Sequence, residues 1–140
     1  MKKDYATLKN EYQTKFNNLP IVYAFSPKQF EENVIKRLGS DMKQIIHIGG
    51  GGYMRREDEH LIDTFLEESN NFVKNRLTDY DFMYSAFKYE LANHEFCYTM
   101  DETDALDALN LTWDDITNDP QLKATLIKAE SDIMDDYLEY

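Results

Sequence analysis

Gln44-Ile45-Ile46-His47-Ile48 is followed by Gly49-Gly50-Gly51-Gly52 and then by Tyr53-Met54-Arg55. The first piece is rich in β-branched residues, which pack well on a pleated surface. The last is short and extended, and between them stand glycines, which enter positive φ without steric cost. Strand, glycine turn, strand is the order of a hairpin. This stretch decides the fold class, because most of the remaining chain has helical periodicity. With the β-prone run Ile21-Val22-Tyr23-Ala24-Phe25 upstream, it predicts an α+β fold. The expectation is a mainly helical single domain over 1–140, with a small two- or three-stranded sheet near residues 21–56.

Outward from the hairpin, helices are predicted on both sides. Tyr5, Leu8, Tyr12, Phe16 and Leu19 recur at three- and four-residue steps, so a first amphipathic helix ends near Asn18 and Pro20. Ser26-Pro27-Lys28-Gln29 reads as a capping box with proline at the first helical position, and Gly39 stands where a left-handed C-terminal cap belongs. From Asp58 a long helix is expected, with Leu61, Ile62, Phe65, Leu66, Phe72, Val73 and Leu77 on one face. Thr78 is the expected cap of the next, which carries Phe82, Met83, Ala86, Phe87 and Leu91. Short helices are expected at Thr103–Leu109 and Trp113–Ile116, and a last one from Asp119-Pro120 to the terminus.

The chain has 140 residues, 42% hydrophobic, with 1 Trp, 10 Tyr and 8 Phe. That is enough to build a real core at this length, so disorder throughout is excluded. The single cysteine, Cys97, excludes an internal disulfide, and no Lys or Arg stands near it in sequence to make a reactive thiolate. No apolar run approaches the ~18–20 residues of a membrane span, and no signal-peptide pattern follows Met1. The expected location is the cytoplasm, with no membrane association.

Charge is unevenly distributed. Residues 1–56 carry 10 Lys/Arg against 5 Asp/Glu, and residues 57–140 carry 5 against 22, giving a net charge of −12. The acidic part repels phosphate backbones, so direct nucleic-acid binding is not expected, and a protein with a basic surface is the natural partner. Part of the acid is positioned for architecture. Glu57, Asp58, Glu59, Asp79, Asp81, Asp101, Glu102, Asp104, Asp114, Asp115 and Asp119 fall at or near predicted helix starts, where they complement exposed N–H groups. The rest includes Asp107 and a ridge on the last helix, Asp132, Asp135, Asp136 and Glu139. On that helix Leu122, Leu126, Ala129, Ile133 and Tyr137 share one face, with Ile127, Met134 and Leu138 as a second apolar stripe.

Gly49 to Gly52 lacks the Gly-Lys-Ser/Thr of a phosphate loop and the spacing of a dinucleotide fingerprint. A bulged or tight turn is its structural reading. The alternative is an anion or partner loop, with Arg55 and Arg56 supplying charge. His47, His60 and His94 form no metal-binding spacing. Asp79-x-Asp81 with Glu90 departs from a calcium loop at Met83 and Tyr84. No metal and no cofactor is expected, and no catalytic residue is assigned.

Four stretches occur together: Tyr23-Ala24-Phe25-Ser26 with Gln29-Phe30-Glu31-Glu32; Ile48 to Arg56; Tyr89-Glu90-Leu91-Ala92-Asn93-His94-Glu95-Phe96; and Asp104-Ala105-Leu106-Asp107-Ala108-Leu109. Their order resembles an uncharacterised family of small acidic proteins encoded by phages and mobile elements of Firmicutes. Asn110 stands where that pattern expects glycine, and asparagine also takes a left-handed cap. The resemblance implies no activity and transfers no site residue; it implies a mobile-element protein acting on a host protein.

Two functional classes follow as expectations. One is a protein-binding module, an inhibitor of a nucleic-acid-handling system of the anti-CRISPR or anti-restriction type, acting through its acidic surface. The other is a small-ligand protein or enzyme built around the glycine loop with Arg55 and Arg56.

Overall fold

The structure, a computed structural model, describes residues 2–139. Along the chain run α1 (Tyr5–Asn17), β1 (Val22–Tyr23), α2 (Pro27–Gln29), a π-helical stretch (Phe30–Ile35) and α3 (Lys36–Leu38). Next come β2 (Ile45–Gly49), β3 (Gly52–Arg55), α4 (Glu59–Asn71), α5 (Tyr80–Asn93) and α6 (Phe96–Thr99). The last are α7 (Thr103–Ala108), α8 (Trp113–Thr117) and α9 (Pro120–Leu138). The fold is α+β, mainly helical, with a three-stranded antiparallel sheet ordered β1-β3-β2. The chain divides into two compact units, Thr14–Glu67 and the residues up to Gln13 together with those from Glu68 on.

In the sheet-bearing unit, β2 and β3 form the hairpin expected from residues 44–55. Gly49 pairs with Gly52, so Gly50-Gly51 is a two-residue turn, and the register slips by one residue between His47 and Gly49. The turn glycines have φ of 57° and 77°. Positive φ at both central positions lets a two-residue turn follow the right-handed twist of its strands. A Cβ on Gly51 would run into the Phe25 ring. One sheet face carries Val22, Ala24, Ile45 and Tyr53, packed beneath Phe30, Val34 and Leu38 of the helical run 27–38. That run starts as expected: Ser26 Oγ accepts from Gln29 N at 3.2 Å. The reciprocal arm reaches one residue further back, because Gln29 Oε1 accepts from Phe25 N at 2.9 Å.

The other unit is all helix. Phe82, Met83, Ala86, Phe87 and Leu91 of α5 pack with Leu122, Leu126, Ala129 and Ile133 of α9. Tyr5, Leu8, Leu106, Leu109, Leu111 and Ile116 belong to the same cluster. Full burial of each Leu, Ile, Phe or Met is worth about 1.5–3 kcal/mol. Three expectations are corrected here. α5 is capped by Asp79, whose carboxylate accepts from Phe82 N, and not by Thr78. The long helix from Asp58 ends at Asn71, so Phe72, Val73 and Leu77 leave its face; the five polar residues 67–71 interrupt the apolar period, and Arg76 Nη1 donates to Phe72 O at 2.6 Å beyond the break. α9 buries a narrower face than its helical wheel suggests: Tyr137, Ile127 and Leu138 are exposed by 42%, 54% and 72%. Asn110 has φ 57°, the left-handed geometry allowed for it.

Candidate functional site

The acidity belongs to the helical unit, which carries 8 Lys/Arg against 19 Asp/Glu, whereas the sheet-bearing unit carries 7 against 8. Within α9 the ridge is not uniform. Asp132 accepts a hydrogen bond from the Tyr84 phenol and another from Lys128 Nζ at 3.0 Å. Asp136 lies 3.4 Å from Lys88 Nζ. The Tyr84 hydrogen bond, helped by Lys128, holds the Asp132 carboxyl below the usual range, and the same bond pushes the Tyr84 phenol up. Both lysines are raised, Lys128 by Asp132 and Lys88 by Asp136. Lys128 Nζ also sits 4.7 Å from the Tyr84 ring centroid, a cation–π contact that an exposed amine makes favourably. Asp135 and Glu139 are exposed, with no ion pair among the described residues. Asp107 is exposed on α7, and no bond joins it to the α9 acids among the described residues.

Beside this ridge an open cleft of about 670 Å³ lies between the start of α1, α5, α6 and α9. It is lined by Tyr84, Tyr89, Ala92, Ile133 and Tyr137, together with the Lys88–Asp136 pair. The Tyr137 ring meets Tyr98 edge to face at 5.4 Å, and Tyr98 is 71% exposed. Rings therefore continue from the cleft onto the surface. Tyr5, buried at the start of α1, has a phenol pushed far up by burial, with Glu90 adding to it.

Glu90 is fully buried on the inner face of α5. Its Oε1 accepts from Lys9 Nζ at 2.7 Å, and its Oε2 accepts no hydrogen bond. His94 Nε2 stands 3.8 Å from that second oxygen, one helical turn on. Lys9 lies 4.9 Å from the Tyr89 ring centroid and 5.9 Å from that of Tyr5. A buried carboxylate held by one amine under two tyrosine rings is a structural ion pair with one oxygen in reserve.

In the sheet-bearing unit the two arginines are committed. Arg55 Nη2 donates to Arg37 O at 3.0 Å, and Arg56 Nε to Lys43 O at 3.1 Å. The Arg55 guanidinium thus holds a carbonyl in the last turn of the helical run and that of Arg56 one beyond it, rather than facing Gly49–Gly52. The glycine turn instead borders a pocket of about 490 Å³ lined by Phe25, Phe30, His47 and Tyr53, where His47 stacks on Tyr53 at 4.6 Å. No group of three or more His, Cys, Asp or Glu among the described residues is placed to hold a metal ion. No helix among them is long and apolar enough to cross a membrane.

A family model described as a family of unknown function (DUF7659) matches residues 4–132. The chain belongs to this family. Neither the curated proteins nor the solved structures contain a match to it. The family match spans the glycine hairpin, the Tyr89–Phe96 stretch and most of α9.

Sequence reasoning placed Asp132 and Asp136 on one ridge but missed Tyr84 and Lys88, which engage them. It also missed Glu90 and Lys9. A signal for Glu90 was present: Met83, Ala86, Phe87, Glu90 and Leu91 continue one i, i+3, i+4 stripe, and a carboxylate within such a stripe needs a buried partner.

Proposed function

We propose that this member of DUF7659 is a protein-binding module that captures a basic partner through the surface of its helical unit. The observation that supports the reading is the segregation of charge, 8 Lys/Arg against 19 Asp/Glu in one unit and near balance in the other. Such a field draws in positively charged proteins and repels nucleic acid and anionic membrane surfaces. The partner class is a nucleic-acid-handling protein, and the finer proposal is an inhibitor of anti-CRISPR or anti-restriction type, carried by a phage or mobile element and acting in the host cytoplasm.

Carboxylates at i, i+3 and i+4 of a helix lie ~5–6 Å apart, against a phosphate every ~3.4 Å along a strand. Two of the four ridge acids are held by lysines, so α9 offers Asp135 and Glu139 as free charge, not a continuous phosphate-like row. Electrostatics in this reading steers and selects the partner, while the cleft beside α9 contributes contact.

The test is affinity capture from host extract across a salt series, followed by competition with nucleic acid on the purified captured protein. Expected are capture of a basic protein, weakening as salt rises, and displacement by DNA or RNA. Capture of no basic protein, or binding unchanged at high salt, overturns the reading.

A further inference from the structure

We infer that the open cleft between the start of α1, α5, α6 and α9 is the anchoring pocket of this interface. Its occupant is an apolar or aromatic side chain from a partner segment in which Lys and Arg flank that anchor. The inference rests on the protein-binding reading above and adds the chemistry of what is recognised.

Size comes first. About 670 Å³ falls in the range of real binding pockets, ~300–1,000 Å³. The lining comes next: tyrosine rings with the aliphatic Ala92 and Ile133 suit a side chain that is itself apolar. Shape then separates a polypeptide from a small molecule. A small-ligand site encloses most of its ligand, whereas this cleft opens widely to solvent and its Tyr137 wall continues into Tyr98, 71% exposed. Apolar surface that spreads beyond a pocket and is rimmed by polar groups is the anatomy of a protein interface.

Charge identifies the occupant. Asp4 and Asp136 line the cleft, and Glu95, Asp135 and Glu139 are exposed on the adjoining ends of α6 and α9. Against these carboxylates the only cation lining the cleft among the described residues is Lys88, already paired with Asp136. A second copy of the same acidic unit would bring like charge to like charge, which disfavours that pairing. A segment with an aromatic anchor and flanking Lys or Arg satisfies both halves of the surface. Its cations also find the exposed faces of tyrosine rings, as Lys9 already does over Tyr89, 4.9 Å from the centroid.

The experiment is calorimetry with the full chain and two synthetic peptides. Each has the same run of Lys and Arg around a central residue, Trp in one and Gly in the other. The Trp peptide is expected to bind about tenfold more tightly, since a side chain filling a central pocket is worth more than ~1 kcal/mol. Ala92→Trp, which fills the cleft from an exposed helix position, should reduce the Trp peptide to the affinity of the Gly peptide. Tyr137→Ala removes a wall instead and should act in the same direction, so an ill-folded variant does not end the test. Asp135→Lys with Glu139→Lys should weaken both peptides alike. Equal affinity of the two peptides, or a Trp peptide indifferent to Ala92→Trp and Tyr137→Ala, overturns the pocket and leaves the acidic-surface reading standing. Failure of both peptides to bind at low salt overturns both. A homodimer in light scattering that Ala92→Trp dissociates would assign the cleft to a second copy and overturn the basic occupant.

Discussion

Lys9→Met isolates the buried pair at the heart of the helical unit. Glu90 has a side-chain exposure of 1%, and Lys9, its only hydrogen-bond partner among the described residues, has 39%. Removing one member of a buried pair leaves an uncompensated charge and costs about 3–5 kcal/mol. Because the Lys9 end reaches solvent, screening places the loss toward the low end, about 3 kcal/mol. For a chain of this length that lowers Tm by roughly 10 °C. Urea unfolding at pH 7, followed by far-ultraviolet circular dichroism, reads the loss. The double variant Lys9→Met/Glu90→Met removes both charges and should regain most of the loss, since apolar replacement of a whole buried pair is often neutral or better. A loss below about 1 kcal/mol at pH 7, the value of a surface pair, would refute the reasoning. So would a double variant no more stable than Lys9→Met.

Three further outcomes are expected. Gly51→Ala puts a side chain at φ 77° against the Phe25 ring; the ring is exposed and can swing, so the left-handed backbone sets a cost of about 1–2 kcal/mol, read as a lower urea midpoint. Asp119→Ala removes the carboxylate that accepts from Gln121 N and Leu122 N at the start of α9, costing about 0.5–2 kcal/mol in the same assay. Tyr84→Phe removes the hydrogen bond that contributes most to lowering the Asp132 pKa, so carbon-detected titration should find that carboxyl closer to its ordinary value. Asp132 contributes stability above its unfolded pKa and loses it as pH falls through the lower folded value, so the variant should lose less stability on acidification than the wild type.

How much of this was legible in the chain depends on range. The hairpin at 44–55 was readable because positive φ and β-branched residues are local facts, and so were the Ser26 and Asp119 caps. The end of α4 was misjudged because apolar residues resume at Phe72 after the polar run 67–71, and periodicity alone bridges such a gap. Tyr137, Ile127 and Leu138 were assigned by helical wheel to apolar stripes, but a wheel states direction and not what lies opposite, and these three side chains stay exposed. Lys9 and Glu90 are 81 positions apart, so neither residue's local context announces the other. The glycine loop drew attention as a site because Arg55 and Arg56 follow it in sequence, yet their guanidinium groups reach the carbonyls of Arg37 and Lys43 instead.

The acidity itself divides by what each carboxylate touches. Asp4, Asp79, Asp101, Asp115 and Asp119 accept backbone N–H groups at helix starts. Glu11, Glu90, Asp132 and Asp136 face lysines. Reversing any of these perturbs folding as well as charge, so a weakened complex would not separate recognition from stability. Asp135, Glu139 and Asp107 are exposed and, among the described residues, carry neither a cap nor an ion pair. Their replacement by lysine removes negative field at little structural cost, since surface changes away from such features stay within about 0.5 kcal/mol. If the excess acid recognises a partner, these three positions carry the effect with Tm unchanged. If binding follows only the capping and lysine-paired acids, and falls in step with Tm, the charge serves the helices that bear it.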